Sequence, residues 1–456
     1  MTIITRYRPA LIVFLILLSL LLPLWNIPDT IALRYFSAFL LLVIVIISKP
    51  DWGLFFKSHI TLALLFIYLI VQLVFFSTDY AVSFHNFKSE WLKFILFAFL
   101  GVGCGFILAS IKFERLNLFL GFLFAIPLLI HLTLCLIKGV GLHQIPFGYW
   151  GINKTHGDLA YTSIHATTFV GVFLIFQAKS LLDKRLSLFL LAVCLLSPLI
   201  ASSRGGTLFV FISLGVVFFL GVMTRHSAHF SLKNLLLYLF AMVILMLSAY
   251  QFAMYFQPER WGGTLSRIEM GFEGDALNIN CEGAEALEKT LQQDGVEITP
   301  QIKAFLESVK DGDAARVMAA RSAIQLIPQH WMGIDQARRA YVKALEQACG
   351  HPAKIQLTSA HNGWLDTSLA IGVIGATLYF LVLCQFIKQG LGASFQKSTD
   401  INPYGVALCS LSLIWIVRSL FDSAQQDQVL EMQIFTLCLL SALIVFQSNN
   451  KLIPQS

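Results

Sequence analysis

Arg204 is the first residue in this sequence whose type and surroundings suggest chemistry. It lies in Ser-Ser-Arg-Gly-Gly at 202–206, between two long apolar runs. An arginine beside hydrocarbon is costly unless it faces a cavity or an anion, and the glycines would let a phosphate or pyrophosphate approach the backbone. A tight turn whose arginine meets only lipid headgroups explains the residues equally well, so the sequence leaves both interpretations open.

His361 is a candidate general base, because imidazole accepts a proton near neutral pH. It lies in Ala-His-Asn-Gly-Trp, where a polar segment gives way to an apolar run. Asn362 could orient a substrate hydroxyl. The alternative is a histidine at the membrane interface beside an anchoring Trp364. Small residues that permit close helix packing follow at Gly372 and Gly375.

Arg316 opens a stretch with apolar residues at helical spacing that ends at Gly333. A positive charge at a helix start opposes the helix dipole, which predicts a specific anionic partner for this side chain. The alternative is a solvated surface helix, and Arg321 has the same simpler explanation. Arg267 is a further candidate supporting residue, although no spacing argument singles it out.

The cysteines and histidines show no spacing typical of a metal site, so no metal is expected. Six of the eight cysteines fall in or beside apolar runs, where they fill space. Cys281 and Cys349 lie in a polar segment instead. In an oxidising compartment a disulfide between them would contribute about 4 kcal/mol in the chain-entropy model. Two free thiols are the alternative, and the sequence only slightly favours the bridge.

The elements that must position these residues are membrane helices. The 456 residues are 57% hydrophobic and 13% charged, too little charge to cover a soluble protein of this length. In such a chain the net charge of +6 gives no reason to expect a nucleic-acid partner. The sequence predicts an all-α integral membrane protein, and twelve apolar runs are long enough to cross a bilayer. These runs are 9–25, 31–48, 59–76, 91–110, 118–138, 161–178, 185–201, 207–223, 234–255, 363–387, 402–421 and 430–447.

The distribution of basic residues predicts that both termini lie in the cytoplasm, because every inner loop then holds at least two of them. The predicted inner residues are Arg6, Arg8, Lys49, Lys57, Lys112, Arg115, Lys179, Lys184, Arg185, Arg225, Lys233, Lys388, Lys397 and Lys451. The short outer loops and their edges hold Lys88, Lys93, Lys138, Lys154 and Arg204.

The same topology divides the chain into three parts. Residues 1–255 form a membrane domain of nine spans, 256–360 a large outer loop with short helices, and 361–456 three more spans. Within the loop, Asp335 is expected to cap a helix over 336–348 that Gly350 ends. We expect the loop to fold as a helical periplasmic cap over the membrane domain.

Several of these motifs resemble those of one family. His361-Asn362, nine residues and then Gly372-x-x-Gly375 resembles the His-[Asn/Ser/Gln]-x9-Gly-x-x-Gly signature of bacterial O-antigen ligases. The stretch 316–333 looks like the arginine-rich helix and turn of the wider O-antigen ligase and polymerase superfamily, and the Ser-Arg-Gly at Arg204 matches a third element. Two departures, Ala320 in place of a frequent tryptophan and no proline at the centre of the turn before residue 333, blur the boundary between ligase and polymerase.

The resemblance implies a glycosyltransferase with the ligase-like branch of the GT-C fold. It would transfer polysaccharide from undecaprenyl pyrophosphate to lipid A–core at the periplasmic face of the bacterial inner membrane, with no metal or cofactor. Arg204 and Arg316 would neutralise the leaving pyrophosphate and His361 would deprotonate the acceptor hydroxyl. The alternatives are an O-antigen polymerase, a protein O-oligosaccharyltransferase and, in a different class, a transporter of lipid-linked glycans. All of the enzyme interpretations require these three side chains to meet in one cavity.

Overall fold

The computed structural model of the chain is built from helices. It describes residues 8–111, 113–153, 157–224, 232–300, 302–303, 306, 312–355, 357–396, 402–425 and 427–450. Helix accounts for 79% of the structure, and the described residues contain no strand, which confirms the predicted all-α class. Among the basic residues used to predict orientation, Arg6, Lys112, Lys154, Arg225, Lys397 and Lys451 lie outside the described residues.

Helices at the apolar runs make up most of the molecule. The first eleven are α1 (Arg8–Leu24), α2 (Ile31–Ser48), α3 (Trp52–Ser58), α4 (Ile60–Phe75), α5 (Tyr80–Ser89), α6 (Trp91–Ala109), α7 (Leu116–Leu142), α8 (Asp158–Phe176), α9 (Leu181–Ile200), α10 (Arg204–Thr224) and α11 (Leu232–Phe256). The last three are α18 (Gly363–Ser394), α19 (Asn402–Arg418) and α20 (Asp427–Asn450).

Shorter helices lie in the chain between α11 and α18, residues 257–362, which we call the connecting segment. They are α12 (Pro258–Trp261), α13 (Thr264–Met270), α14 (Ala276–Glu282), α15 (Ala284–Gln293), α16 (Asp313–Leu326), a 3₁₀ turn (Ile327–His330) and α17 (Ala340–Cys349). A small core of their own joins α14 to α16 through Ile279 and Met318, which are almost fully buried. A disulfide between Cys281 and Cys349 links α14 to α17, with the two Cα atoms 5.5 Å apart.

Seven segments among the described residues are long and apolar enough to cross a membrane. They are Ile31–Ser48, Tyr80–Ala109, Leu116–Leu142, Leu159–Phe176, Arg204–Thr224, Gly363–Ser394 and Asp427–Asn449. The pair α3 and α4 meets the same criterion together but bends by 95° at the break between them. Long apolar helices of this kind indicate a multi-pass integral membrane protein. The remaining predicted runs also coincide with helices, but the total of twelve spans stays a prediction.

The predicted cap at Asp335 is wrong. The helix begins at Ala340 rather than at residue 336, and the backbone of Asp335 has a left-handed φ of 49°. Its buried carboxylate accepts hydrogen bonds from Thr78 and Ser83 and pairs with Lys343 at 2.6 Å. These partners outweigh burial and lower the pKa of Asp335. The carboxylate therefore attaches the connecting segment to the membrane helices. The end of the helix at Gly350, where φ is 71°, is as predicted.

Helix α18 is broken at Gly372, where φ is 77° and ψ is 166°. The turn that precedes α17 fills the break. The Ile334 amide donates to the Leu369 carbonyl at 2.8 Å, and the Val373 amide donates to the Trp331 carbonyl at 2.9 Å. These two bonds satisfy backbone groups that the break leaves without helical partners. The connecting segment is thus locked into a membrane helix, ten residues after Asn362.

Glycine is required on both sides of this contact. A Cβ on Gly372 would lie 2.7 Å from the Trp331 carbonyl oxygen, and a Cβ on Gly333 would lie 2.6 Å from the Ala370 carbonyl oxygen. Both clashes are with backbone, which has little freedom to retreat. Gly372 and Gly333 also have positive φ values, which side chains rarely adopt. The Gly-x-x-Gly motif therefore serves docking of the connecting segment in addition to helix packing.

Candidate functional site

Arg204 is the first residue of α10, and its guanidinium points to the connecting segment. Nη1 and Nη2 both donate to the Asp313 carboxylate, at 2.9 and 2.5 Å, in a bidentate pair. Nη1 also donates to the Thr264 hydroxyl at 2.8 Å. The preceding turn is held by the Ser203 side chain, which accepts from the Gly206 amide. The guanidinium thus has specific partners within the protein, and its contact with a phosphate stays a prediction.

Asp313, which the sequence analysis missed, is the first residue of α16. Its Oδ2 atom also accepts from Arg267 Nε at 3.2 Å. Although burial alone would raise the pKa of Asp313, the two arginines outweigh it and lower that pKa. One feature of the sequence could have indicated Asp313. It is an aspartate three residues before Arg316, at the start of a helix, where the helix dipole favours a negative charge. Two of the predicted arginines are therefore brought together by an unpredicted carboxylate.

A second carboxylate lies on the other side of the Ser-Arg-Gly turn. Asp422 Oδ2 accepts from Arg418 Nη2 at 2.5 Å and from the Tyr161 hydroxyl at 3.0 Å. The Arg418 guanidinium is almost fully buried and so close to Gly205 that a Cβ there would lie 2.4 Å from Nη1. Only a glycine after Arg204 leaves this space. The sequence analysis missed Arg418 and Asp422, although an Arg-x3-Asp pair at the end of an apolar run was visible.

Asp422 also lies in the loop to which the His361 segment is attached. Burial would raise the pKa of Asp422, but Arg418 and Tyr161 outweigh it, together with the positive charge of Arg316. The pKa of Asp422 is consequently below its ordinary value. Backbone contacts bring the His361 segment to this loop, because the Gly363 amide, two residues after His361, donates to the Ser419 and Asp422 carbonyls at 2.7 and 3.0 Å. Arg316 itself is exposed, and no described residue forms a hydrogen bond or ion pair with its guanidinium.

His361 has a strained backbone, with a left-handed φ of 51° that is uncommon for a residue other than glycine. Its neighbours fix this conformation. The Ala360 amide donates to Asp366 Oδ1 at 2.8 Å, and Asn362 caps α18 by accepting from the Trp364 and Leu365 amides. Strain of this kind persists where the surroundings hold the residue in one orientation.

Asn362 binds protein backbone through both ends of its side-chain amide. Its Oδ1 caps the helix and its Nδ2 donates to the Leu420 carbonyl at 3.1 Å, so both ends of the amide bind backbone. Helix capping and attachment to the loop after α19 explain the residue without a substrate hydroxyl. These contacts fix the backbone next to His361, and a contact of Asn362 with a substrate hydroxyl stays a prediction.

Arg321 lies apart from this cluster. Nη1 donates to the Gly271 and Glu273 carbonyls, and Nη2 donates to the Gly274 carbonyl at 2.8 Å. These bonds stabilise the turn between α13 and α14. The simpler explanation, a structural arginine of the connecting segment, is the one that its contacts support.

The cluster is basic. Four guanidinium groups, those of Arg204, Arg267, Arg316 and Arg418, face the carboxylates of Asp313 and Asp422, and Asp366, bound to Ser423, adds a third carboxylate, so one positive charge remains in excess. Such an excess beside an apolar membrane domain suits a negatively charged ligand. Within the described part of the chain, no three side chains of His, Cys, Asp or Glu come together in the way that a metal site requires.

Comparison with known proteins yields one match. Residues 186–380 match the family model described as O-Antigen ligase. The matched range includes Arg204, Arg267, Arg316 and His361, and it ends before Arg418 and Asp422. No curated protein matches the chain.

Proposed function

Since residues 186–380 belong to the O-antigen ligase family, we propose that this protein is an O-antigen ligase that transfers a polysaccharide from undecaprenyl pyrophosphate to a sugar of lipid A–core. The observation that carries the proposal is the basic cluster of Arg204, Arg267, Arg316 and Arg418 next to His361. Membership of the family alone does not separate ligation to lipid A–core from polymerisation.

The donor needs no further activation, because its sugar already carries a pyrophosphate leaving group. An acceptor hydroxyl attacks the anomeric carbon, the bond between that carbon and the pyrophosphate oxygen breaks, and undecaprenyl pyrophosphate leaves with the electron pair. The hydroxyl proton passes to His361. Arg204 and Arg316 stabilise the negative charge that develops on the pyrophosphate, since guanidinium groups bind phosphate oxygens in pairs.

Asp422 supports both tasks in this proposal. Its pKa lies below the ordinary value, so it stays ionised at neutral pH. A nearby negative charge stabilises the imidazolium that His361 becomes after it accepts the proton. The same charge is neutralised on its other side by Arg418, which prevents it from repelling the donor.

We further propose the topology that suits such a donor. Twelve spans, both termini in the cytoplasm of a bacterial cell and a GT-C-like arrangement would set the site at the periplasmic surface of the inner membrane. Residues 256–360 would form the periplasmic cap between membrane domains at 1–255 and 361–456. The concentration of Lys and Arg in the loops assigned to the cytoplasm supports this orientation.

The surface glycans of a deletion strain test the function. A ligase predicts lipopolysaccharide that lacks O-antigen while polymerised, lipid-linked O-antigen accumulates, and the wild-type gene restores the normal pattern. Core that bears a single repeat unit would instead identify a polymerase. Intact lipopolysaccharide with an unglycosylated periplasmic protein would identify a protein O-oligosaccharyltransferase. Loss of O-antigen, with the lipid-linked glycan remaining on the cytoplasmic face of the membrane, would identify a transporter.

A further inference from the structure

Asp313 accepts three hydrogen bonds from two arginines near the site, and it has no direct task in the transfer. Its Oδ2 atom accepts from Arg204 at 2.9 Å and from Arg267 at 3.2 Å, and its Oδ1 accepts from Arg204 again. The Thr264 hydroxyl lies beside the same two guanidinium groups, at 2.8 and 3.5 Å. One carboxylate thus holds two arginines that belong to different helices, α10 and α13.

Without this carboxylate the two arginines would separate. Both guanidinium groups bind the same oxygen, so their positive charges are close enough to repel each other strongly in a partly buried place. Asp313 offsets the repulsion, and its side chain is only 11% exposed. The Arg204 and Arg267 side chains are 27% and 26% exposed, so a ligand can reach the arginines while the carboxylate stays behind them.

Asp313 also determines where Arg316 lies. The two residues are three apart in α16, so their side chains share one face of the helix. The bidentate pair with Arg204 therefore attaches this face of α16 to the start of α10. Arg316 is thereby brought close enough to Asp422 for its charge to lower the pKa of that carboxyl.

From these contacts we propose that Asp313 is a positioning residue of the pyrophosphate site. It holds Arg204 and Arg267 side by side in a partly exposed position, and it keeps Arg316 on the same side. Arg267 also donates to the Glu259 and Arg260 carbonyls at 3.4 and 3.3 Å, longer bonds that phosphate oxygens would replace. Arg267 thereby becomes a third pyrophosphate ligand. The proposal rests on the proposed function, because the ligand is the pyrophosphate of the lipid donor.

Binding of undecaprenyl pyrophosphate to the full chain in lipid nanodiscs tests this role. We expect Asp313→Asn to raise the dissociation constant about 10- to 100-fold, the fold-change of one lost charge-assisted hydrogen bond. Asp313→Glu should restore part of the affinity, since it returns the charge. Asp275→Asn is the matched control, because Asp275 caps α14 in the same segment and touches none of these arginines. Its affinity should equal that of the wild type, with similar thermal stability for all variants.

A double-mutant cycle separates positioning from simple stabilisation. If Asp313 acts through the arginines, Asp313→Asn should weaken binding much less in an Arg204→Ala background than in the wild type. Full additivity would overturn the proposal, as would tighter binding by Asp313→Asn alone, because Asp313 would then compete with the ligand. Failure of the proposed function looks different: the unmodified protein would not bind undecaprenyl pyrophosphate at all.

Discussion

At the scale of single residues, the site depends on carboxylates that make clustered positive charges tolerable. Asp313 pairs with Arg204 and Arg267, and Asp422 pairs with Arg418 while it attracts Arg316. Each carboxylate has a pKa below its ordinary value, because the cations around it outweigh the cost of burial. The cluster can therefore stay charged while partly buried and still present excess positive charge to the proposed pyrophosphate ligand.

His361 gives the sharpest prediction at this scale. Replacing the proposed general base by alanine should reduce glycan transfer in membranes by about 10²- to 10⁴-fold, because no other group would take the acceptor proton. His351→Ala is the control, since His351 is an exposed histidine of the same segment that binds Glu282 and the Pro352 carbonyl. Transfer should be measured at equal protein levels. Near-normal transfer by the His361 variant would remove the general-base assignment.

Sequence patterns identified the candidate site residues that have local signatures. They missed those whose partners are far away along the sequence. Arg204, Arg316 and His361 lie beside glycines, helix starts or an interface, and each can be recognised within about ten residues. Asp313 and Asp422 acquire their roles only through partners 109 and 261 residues away, Arg204 and Tyr161. A single sequence contains no signal for pairings of this length.

At the scale of elements, the break in α18 determines how the connecting segment sits on the membrane helices. The Trp331–Ile334 turn inserts at Gly372, and Gln72 of α4 donates to the Met332 carbonyl at 2.6 Å. The same stretch continues to Asp335, whose carboxylate binds α5. Because the segment also contains Asp313 and Arg316, this docking fixes the distance between the arginines and His361.

Gly372→Ala should therefore destabilise the protein by about 1–3 kcal/mol or more, because alanine disfavours the left-handed backbone and its Cβ meets the turn. The matched control is Gly392→Ala in the same helix, where a Cβ would meet nothing within 4 Å. Thermal unfolding in detergent compares the two variants. Equal stability of both would contradict the docking role of Gly372.

Hydrophobic periodicity predicted the helices well and their irregularities poorly. Each apolar run became a helix, because lipid leaves backbone groups no other way to be satisfied. The break in α18 interrupts continuous apolar sequence, whereas the 95° bend between α3 and α4 lies at the polar residues Lys57, Ser58 and His59. A break of this kind depends on the residues that pack against it. Helix α17 begins later than predicted because the Asp335 carboxylate binds Ser83 of α5 and Lys343 of α17 instead of capping the helix.

At the scale of the whole molecule, a membrane domain and a disulfide-bonded connecting segment contribute to one site. The disulfide that the sequence only slightly favoured is present, and it closes a loop of 68 residues between α14 and α17. Its formation agrees with an oxidising compartment, as the proposed periplasmic location requires.

Loss of the disulfide should loosen the connecting segment. Cys281→Ser is expected to reduce its stability by about 4 kcal/mol in the chain-entropy model. Limited proteolysis of the protein in membranes measures the effect as faster cleavage between α13 and α17. Cys384→Ser, which removes a free thiol from α18, is the control. Equal cleavage rates for the two variants would contradict a stabilising role for the bridge.

The most direct measurement of the central claim is glycan transfer by the purified protein in liposomes that contain only the lipid-linked donor and lipid A–core. The proposed site predicts ligated product from the wild type and from Arg321→Ala, whose side chain binds only backbone carbonyls of its own segment. Arg204→Ala and Arg316→Ala should each form product about 10²- to 10³-fold more slowly, as expected for loss of one group that stabilises the leaving charge. No product from the wild type, or equal rates from all three variants, would contradict this account.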